Sequence, residues 1–199
     1  MIERILRIAS TALVVSAAGV IVAAPSAADR DEGCRERGRT LLANERARVY
    51  GTRELPRAEL EVFACRYRSP RQRVNLGSSD EDNGISRLKL AGETIAFQVA
   101  GERCSSGDCV GTYVQSRDIR TDRRLRRIFG VPDRYVVKPN GSLAAAVLIN
   151  DLDSRLHLIR ADRSGVQELA VGVDPGSLAL ARSRIYWTVA GVPQTATLD

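Results

Sequence analysis

Apolar residues along this chain come in short runs broken by turns, without the sustained three-to-four-residue stripe that a helical core needs. After a polar lead-in at Asp29–Arg39, the runs Arg48–Arg53, Leu60–Arg66 and Gln72–Leu76 read as strands, since Val, Tyr, Phe and Leu suit a half-buried pleated surface. Ser78–Gly84 is acidic and small, and reads as a loop. Ile85–Leu90 alternates with one break in phase, which a bulge would repair, and Gly92-Glu93 turns the chain into Thr94–Ala100. Cys109–Ser116 and Leu125–Phe129 continue the series up to a break at Gly130–Asp133. Arg134–Lys138, Leu143–Asn150, Leu156–Ala161 and Val166–Val171 follow, with turns at Pro139–Ser142 and Asp162–Gly165. Ser177–Ala181, Arg184–Ala190 and Thr195–Leu198 close the list. Arg117–Arg127 fits either one helical turn or a loop. The expectation is an all-β domain, not a helical bundle or a Rossmann fold.

The runs recur. Val49, Ile95, Leu143 and Ile185 fall at equivalent points after a turn, at intervals of 46, 48 and 42 residues. Units of this length hold about four short strands each, and every unit must bury a face against its neighbour. The fourth unit is one strand short, and Thr40–Ala43 is the candidate to complete it and join the chain ends. The expected organisation is a targeting segment at 1–28, a lead-in with a closing strand at 29–44, and a repeated domain at 45–199.

The targeting segment rests on a charged start with Arg4 and Arg7, an uncharged run from Ile8 to Ala24, and a small-residue exit at Pro25–Ala28. Cleavage before Asp29 removes Arg4, Arg7 and Glu3, so the net charge falls from +6 to +5. The localisation expected is secreted, with no stable membrane insertion after cleavage. The alternative is an uncleaved anchor outside the cytoplasmic membrane, because 17 apolar residues reach about 25 Å as a helix. Export makes disulfides the first reading of Cys34, Cys65, Cys104 and Cys109. Cys104 and Cys109 bracket a short turn-rich interval, and their pairing leaves Cys34 for Cys65. No C-x-x-C pair is present, so no zinc site is expected, nor any cofactor.

Little else in the chain carries chemistry on its face. His157, the one histidine, stands opposite Leu156 and Leu158 in an alternating strand, with no serine nucleophile elbow to serve. Asp80–Gly84 has oxygen donors suited to calcium but lacks an EF-hand's ligand spacing, and reads as a solvated turn. Asp151 and Asp153 are usable carboxylates without a sugar platform beside them. The densest charge is the arginine set Arg117, Arg120, Arg123, Arg124, Arg126 and Arg127, offset in part by Asp118 and Asp122. Guanidinium groups there would engage phosphate, sulfate or carboxylate. Trp187 is the candidate aromatic anchor, with core packing as its plainer reading.

Arg87-Leu88-Lys89-Leu90-Ala91-Gly92, Val137-Lys138-Pro139-Asn140-Gly141-Ser142 and Ile185-Tyr186-Trp187-Thr188 resemble repeat phrases of WD-repeat-like and TolB-like β-propellers, especially exported proteins of high-GC Gram-positive bacteria. The resemblance spans about residues 45 to 198. It implies a small or partial propeller of about four units, which the terminal strand exchange inferred from the short fourth unit could close, with a β-sandwich as the competing architecture. It also implies a non-enzymatic protein-binding or structural module, with the loops around Arg117–Arg127 and Pro139–Ser142 as its contact regions. The partner expected is an extracellular protein or an anionic cell-envelope polymer, not nucleic acid. The alternatives are an exported hydrolase of cell-envelope carbohydrate or peptide, and a partial scaffold completed by a partner or by homo-oligomerisation.

Overall fold

The computed structural model describes residues 34, 38–53, 60–69, 73–79, 84–101, 111–149 and 153–199. Their regular structure is entirely β. The targeting segment, Cys104, Cys109, Asp80–Asn83 and Asp151 lie outside the described residues.

The strands form four antiparallel sheets, each built from consecutive strands. The first contains β1 (Arg39–Ala43), β2 (Ala47–Arg53), β3 (Leu60–Arg66) and β4 (Arg73–Ser79). The second contains β5 (Ile85–Ala91), β6 (Thr94–Val99), β7 (Tyr113–Asp118) and β8 (Arg123–Phe129). The third contains β9 (Val131–Val137), β10 (Leu143–Leu148), β11 (His157–Asp162) and β12 (Gly165–Val171). The last has three strands, β13 (Ala179–Ala181), β14 (Arg184–Val189) and β15 (Val192–Thr197). Val49, Ile95, Leu143 and Ile185 therefore each sit in the second strand of a sheet, and the fourth unit is the short one, as the repeat interval requires.

Side-chain alternation explains how the sheets stack in series. From the first sheet Val49, Val62, Ala64 and Val74 pack against Ile95, Phe97 and Ile119 of the second unit. The intervening residue of β6, Ala96, faces the other way and joins Val114 and Ile128 against Tyr135, Val137, Leu143 and Ala145. The opposite face of the third sheet supplies Val136, Ala144, Ala146 and Leu158 to a further seam with Ile185, Trp187 and Leu198. Middle sheets are thus covered on both faces, which is why Leu143–Val147 is a continuous buried run.

Because all neighbouring strands are antiparallel, the connections alternate between two ends. One end has tight turns, and adjoining units are stapled there. Asn44 Nδ2 donates to Gly92 O (2.9 Å), Thr94 Oγ1 to Pro139 O (2.7 Å) and Ser116 Oγ to Gly141 O (2.6 Å). Lys138 Nζ donates to Leu198 O (2.6 Å), and Ser142 Oγ bonds Asp199 O. The two longest connections, between β6 and β7 and between β10 and β11, join strand ends at the other end.

Three expectations differ from this arrangement. Thr40–Ala43 does not complete the fourth unit: β1 pairs with β2 across a turn held by Asn44 Oδ1, which accepts from Arg46 N and Ala47 N. A hairpin of that length closes at far smaller entropic cost than a link between the chain ends. The stretch Arg117–Arg127 is neither helical turn nor open loop, but the end of β7, a turn capped by Asp118, and β8. The break at Gly130–Asp133 shrinks to Gly130, and β9 begins at Val131. Gly130 has φ 120°, and a Cβ there would lie 2.6 Å from Leu148 O, so glycine alone makes the turn. The bulge expected in Ile85–Leu90 is present, between Ser86 and Lys89.

Candidate binding surfaces

Strand alternation scatters the arginine set. Arg117 turns toward β4, donating to Asn75 O (3.0 Å) and pairing with Asp122 (2.7 Å). Arg126 lies on the Ile128 side of β8 and donates to Leu125 O (2.7 Å). Arg127 lies on the opposite side, its guanidinium 4.2 Å from the Tyr113 ring centroid and 5.6 Å from that of Phe129. Arg120, Arg123 and Arg124 are exposed near the tight-turn end. The six are not brought onto one face. Pro139 and Asn140 are exposed in the other turn singled out, but Gly141 and Ser142 are buried in the packing between units. Trp187 is 6% exposed in the third seam, so its ring is occupied by packing.

A surface that the sequence did not announce lies at the long-connection end. Phe129, Val131 and Ile149 are 56%, 49% and 47% exposed. Their backbones come together: only Gly130 separates Phe129 from Val131, and Val131 pairs with Leu148, the residue before Ile149. Tyr113 meets Phe129 edge-on at 5.9 Å, and Arg127 covers the Tyr113 ring. An apolar centre with aromatic and arginine margins has the composition of a protein-binding patch. The signal in the sequence was faint, because these residues come from β7, β8, β9 and the end of β10, and are brought together only by strand pairing and the β8–β9 junction.

A polar cavity of about 440 Å³, lined by Glu45, Arg46, Arg68 and Glu93, lies at the tight-turn end. Its two cations and two anions balance, and Glu93 already pairs with Arg66 at 2.9 Å.

His157 does lie opposite Leu156 and Leu158, and it is clasped by carboxylates. Nδ1 lies 2.9 Å from Glu168 Oε2, and Nε2 lies 3.2 Å from Asp153 Oδ2, which leaves no ring nitrogen free for a substrate. Asp153 is further paired with Arg155 at 3.0 Å, which with its backbone bond holds its carboxyl below the usual range. The hydrogen bond to Glu168, assisted by Asp153, raises the imidazole above its ordinary value against the opposing effect of burial. Only the imidazolium can donate to both carboxylates. A raised folded-state value means that the clasp stabilises fully below the unfolded-state value of about 6.5, and that this contribution is lost as pH rises through the folded value. The melting temperature of wild type is therefore expected to exceed that of His157→Gln by more at pH 5.5 than at pH 9. A gap that is constant or widens with pH would contradict the clasp.

Among known proteins, no family model matches the chain and no curated protein matches its sequence.

Proposed function

We propose that this protein is an exported, non-enzymatic binding module whose four sheets are the blades of an incomplete β-propeller, and that it binds an extracellular protein through its long-connection end. The observation that carries the reading is the set of exposed apolar residues Phe129, Val131 and Ile149 gathered at one end of adjoining strands, with Tyr113 and Arg127 packed on Phe129. Apolar side chains held on strand ends cost little ordering entropy when a partner covers them, and the stacked arginine supplies direction at the rim. The serial packing of the sheets, the three-stranded last unit and the Cys34–Cys65 bond support the architecture and the oxidising setting.

The test is site-specific photocrosslinking of the oxidised protein in its producing cells. A crosslinker at Val131 is expected to capture a defined exported protein, and Phe129→Asp in the same chain is expected to abolish the adduct. The control position is Val166, 68% exposed at the opposite end. Identical adducts from both positions, or an adduct indifferent to Phe129→Asp, would overturn the proposal.

A further inference from the structure

We infer that the inner edge where β5 meets β9 is a binding site for a tetrahedral oxyanion, a phosphate or sulfate group held by Arg87, Lys89 and Arg134. The inference is independent of the apolar patch.

The first strands of the second and third sheets, β5 and β9, are each bonded on one side only and touch along their free edges. The β5 bulge puts Arg87 at φ 51°, a left-handed backbone conformation that side chains other than glycine seldom adopt. From there its Nη1 reaches across to Pro132 O and Asp133 O, both at 2.7 Å. Two residues further on, Lys89 crosses the same gap. Its Nζ donates to Tyr135 O (2.5 Å) and lies 5.0 Å from the Tyr135 ring centroid. Arg134 lies in β9 between those two attachment points, near enough for its charge to act on Lys89. Three cations are thus gathered around four consecutive residues of one strand.

None of the three forms an ion pair among the described residues. The adjacent acid, Asp133, directs its Oδ2 to Gly176 N at 2.8 Å. Carbonyl acceptors take up one N–H of Lys89 and one nitrogen of Arg87, leaving two ammonium hydrogens, the other guanidinium nitrogens of Arg87 and the whole Arg134 fork as donors. Partial burial, with Arg134 nearby, depresses the Lys89 ammonium below its ordinary value, so the clustering of charge is felt. A carboxylate would offset one charge of three. A phosphate or sulfate carries nearly two and offers several oxygens to donors arriving from different strands, a geometry for which charge-assisted bonds are strongest.

The oxidised protein is titrated calorimetrically with inorganic phosphate, sulfate and glycerol phosphate, each against chloride at matched ionic strength. Saturable one-to-one binding is expected. Arg134→Gln is expected to weaken it roughly tenfold or more, the loss that follows from removing one charged donor. Lys89→Met should act likewise. If that variant fails to fold, Arg134→Gln decides alone, because Arg134 is exposed and makes no hydrogen bond or ion pair among the described residues. The double variant Arg123→Gln, Arg124→Gln removes two exposed arginines elsewhere and should bind as wild type. Preference for glycerol phosphate identifies a phosphoryl group carried on a larger molecule, and preference for inorganic phosphate or sulfate identifies a free ion; both support the site. Binding that chloride reproduces, that Arg134→Gln leaves intact, or that the double variant weakens equally overturns it, as does no binding of any probe.

Discussion

Replacing Cys34 and Cys65 together by alanine is expected to lower stability by about 3–4 kcal/mol, the chain-entropy value for a link of this span. The two cysteines are 31 positions apart and bonded to each other. The link fastens Cys34 onto the outward face of the first sheet, which no other sheet covers among the described residues. There Cys34 and Cys65 pack with Tyr50 and Phe63, whose rings stack at 5.7 Å. Arg48 adds to the attachment by donating to Cys34 O (2.8 Å), Gly38 O (2.7 Å) and Thr40 Oγ1 (2.9 Å). The approach is close enough that a Cβ on Gly38 would lie 2.8 Å from Gly51 O. Without the bond Cys34 must be held by Arg48 and packing alone, and two aromatic rings gain access to water. At about 2–4 °C per kcal/mol for a chain of this size, the melting temperature should fall by roughly 6–16 °C. A double variant melting within about 2 °C of wild type would show that the bond decorates the first sheet without holding it.

Phe97→Ala is expected to cost about 3–5 kcal/mol, the usual range for emptying a buried aromatic site. Phe97 is fully buried in the first seam, so its removal leaves a hole that rigid strands on both sides cannot readily fill. Phe97→Leu, which keeps most of the volume, should cost less than half as much. The measurement also tests whether the seams act together. Trp187, the one tryptophan, sits in the third seam, two sheets away, and its emission reports that region. Between them stands the second seam, where Ala96, Val114, Leu143, Ala145 and Val147 are wholly buried. An interface of that quality should couple its neighbours. Urea transitions followed by circular dichroism and by Trp187 emission are therefore expected to shift together in Phe97→Ala. A Trp187 transition left at the wild-type midpoint would mean that the units unfold independently.

The repeat was legible because its markers are residues that any stacked sheet must bury: Val49, Ile95, Leu143 and Ile185 are all inaccessible. Phase within Ile85–Leu90 was legible for the same reason, since an alternation that breaks once in a buried strand implies a bulge. Sequence could not say what β1 pairs with, because a short amphipathic strand satisfies any free edge equally well, and the Asn44 turn decides it. The sites were harder to read. Density of arginine along the chain suggested convergence, yet alternation in β8 sends adjacent guanidinium groups to opposite faces. The binding candidates that emerge depend on contacts across strands: Arg87 and Arg134 are 47 positions apart on two different strands, and Phe129 and Ile149 are brought to the same end only by way of β9. Trp187 suits either an anchor or a core position by sequence, and its burial puts it in the core.

Each sheet here meets its neighbours through one face at a time, and the fourth has nothing among the described residues against its far side. Extra units could therefore be appended behind β13–β15 without disturbing any contact already made, whereas an insertion between the second and third sheets would have to rebuild two. Length in such an architecture is adjustable at its tail and fixed at its middle.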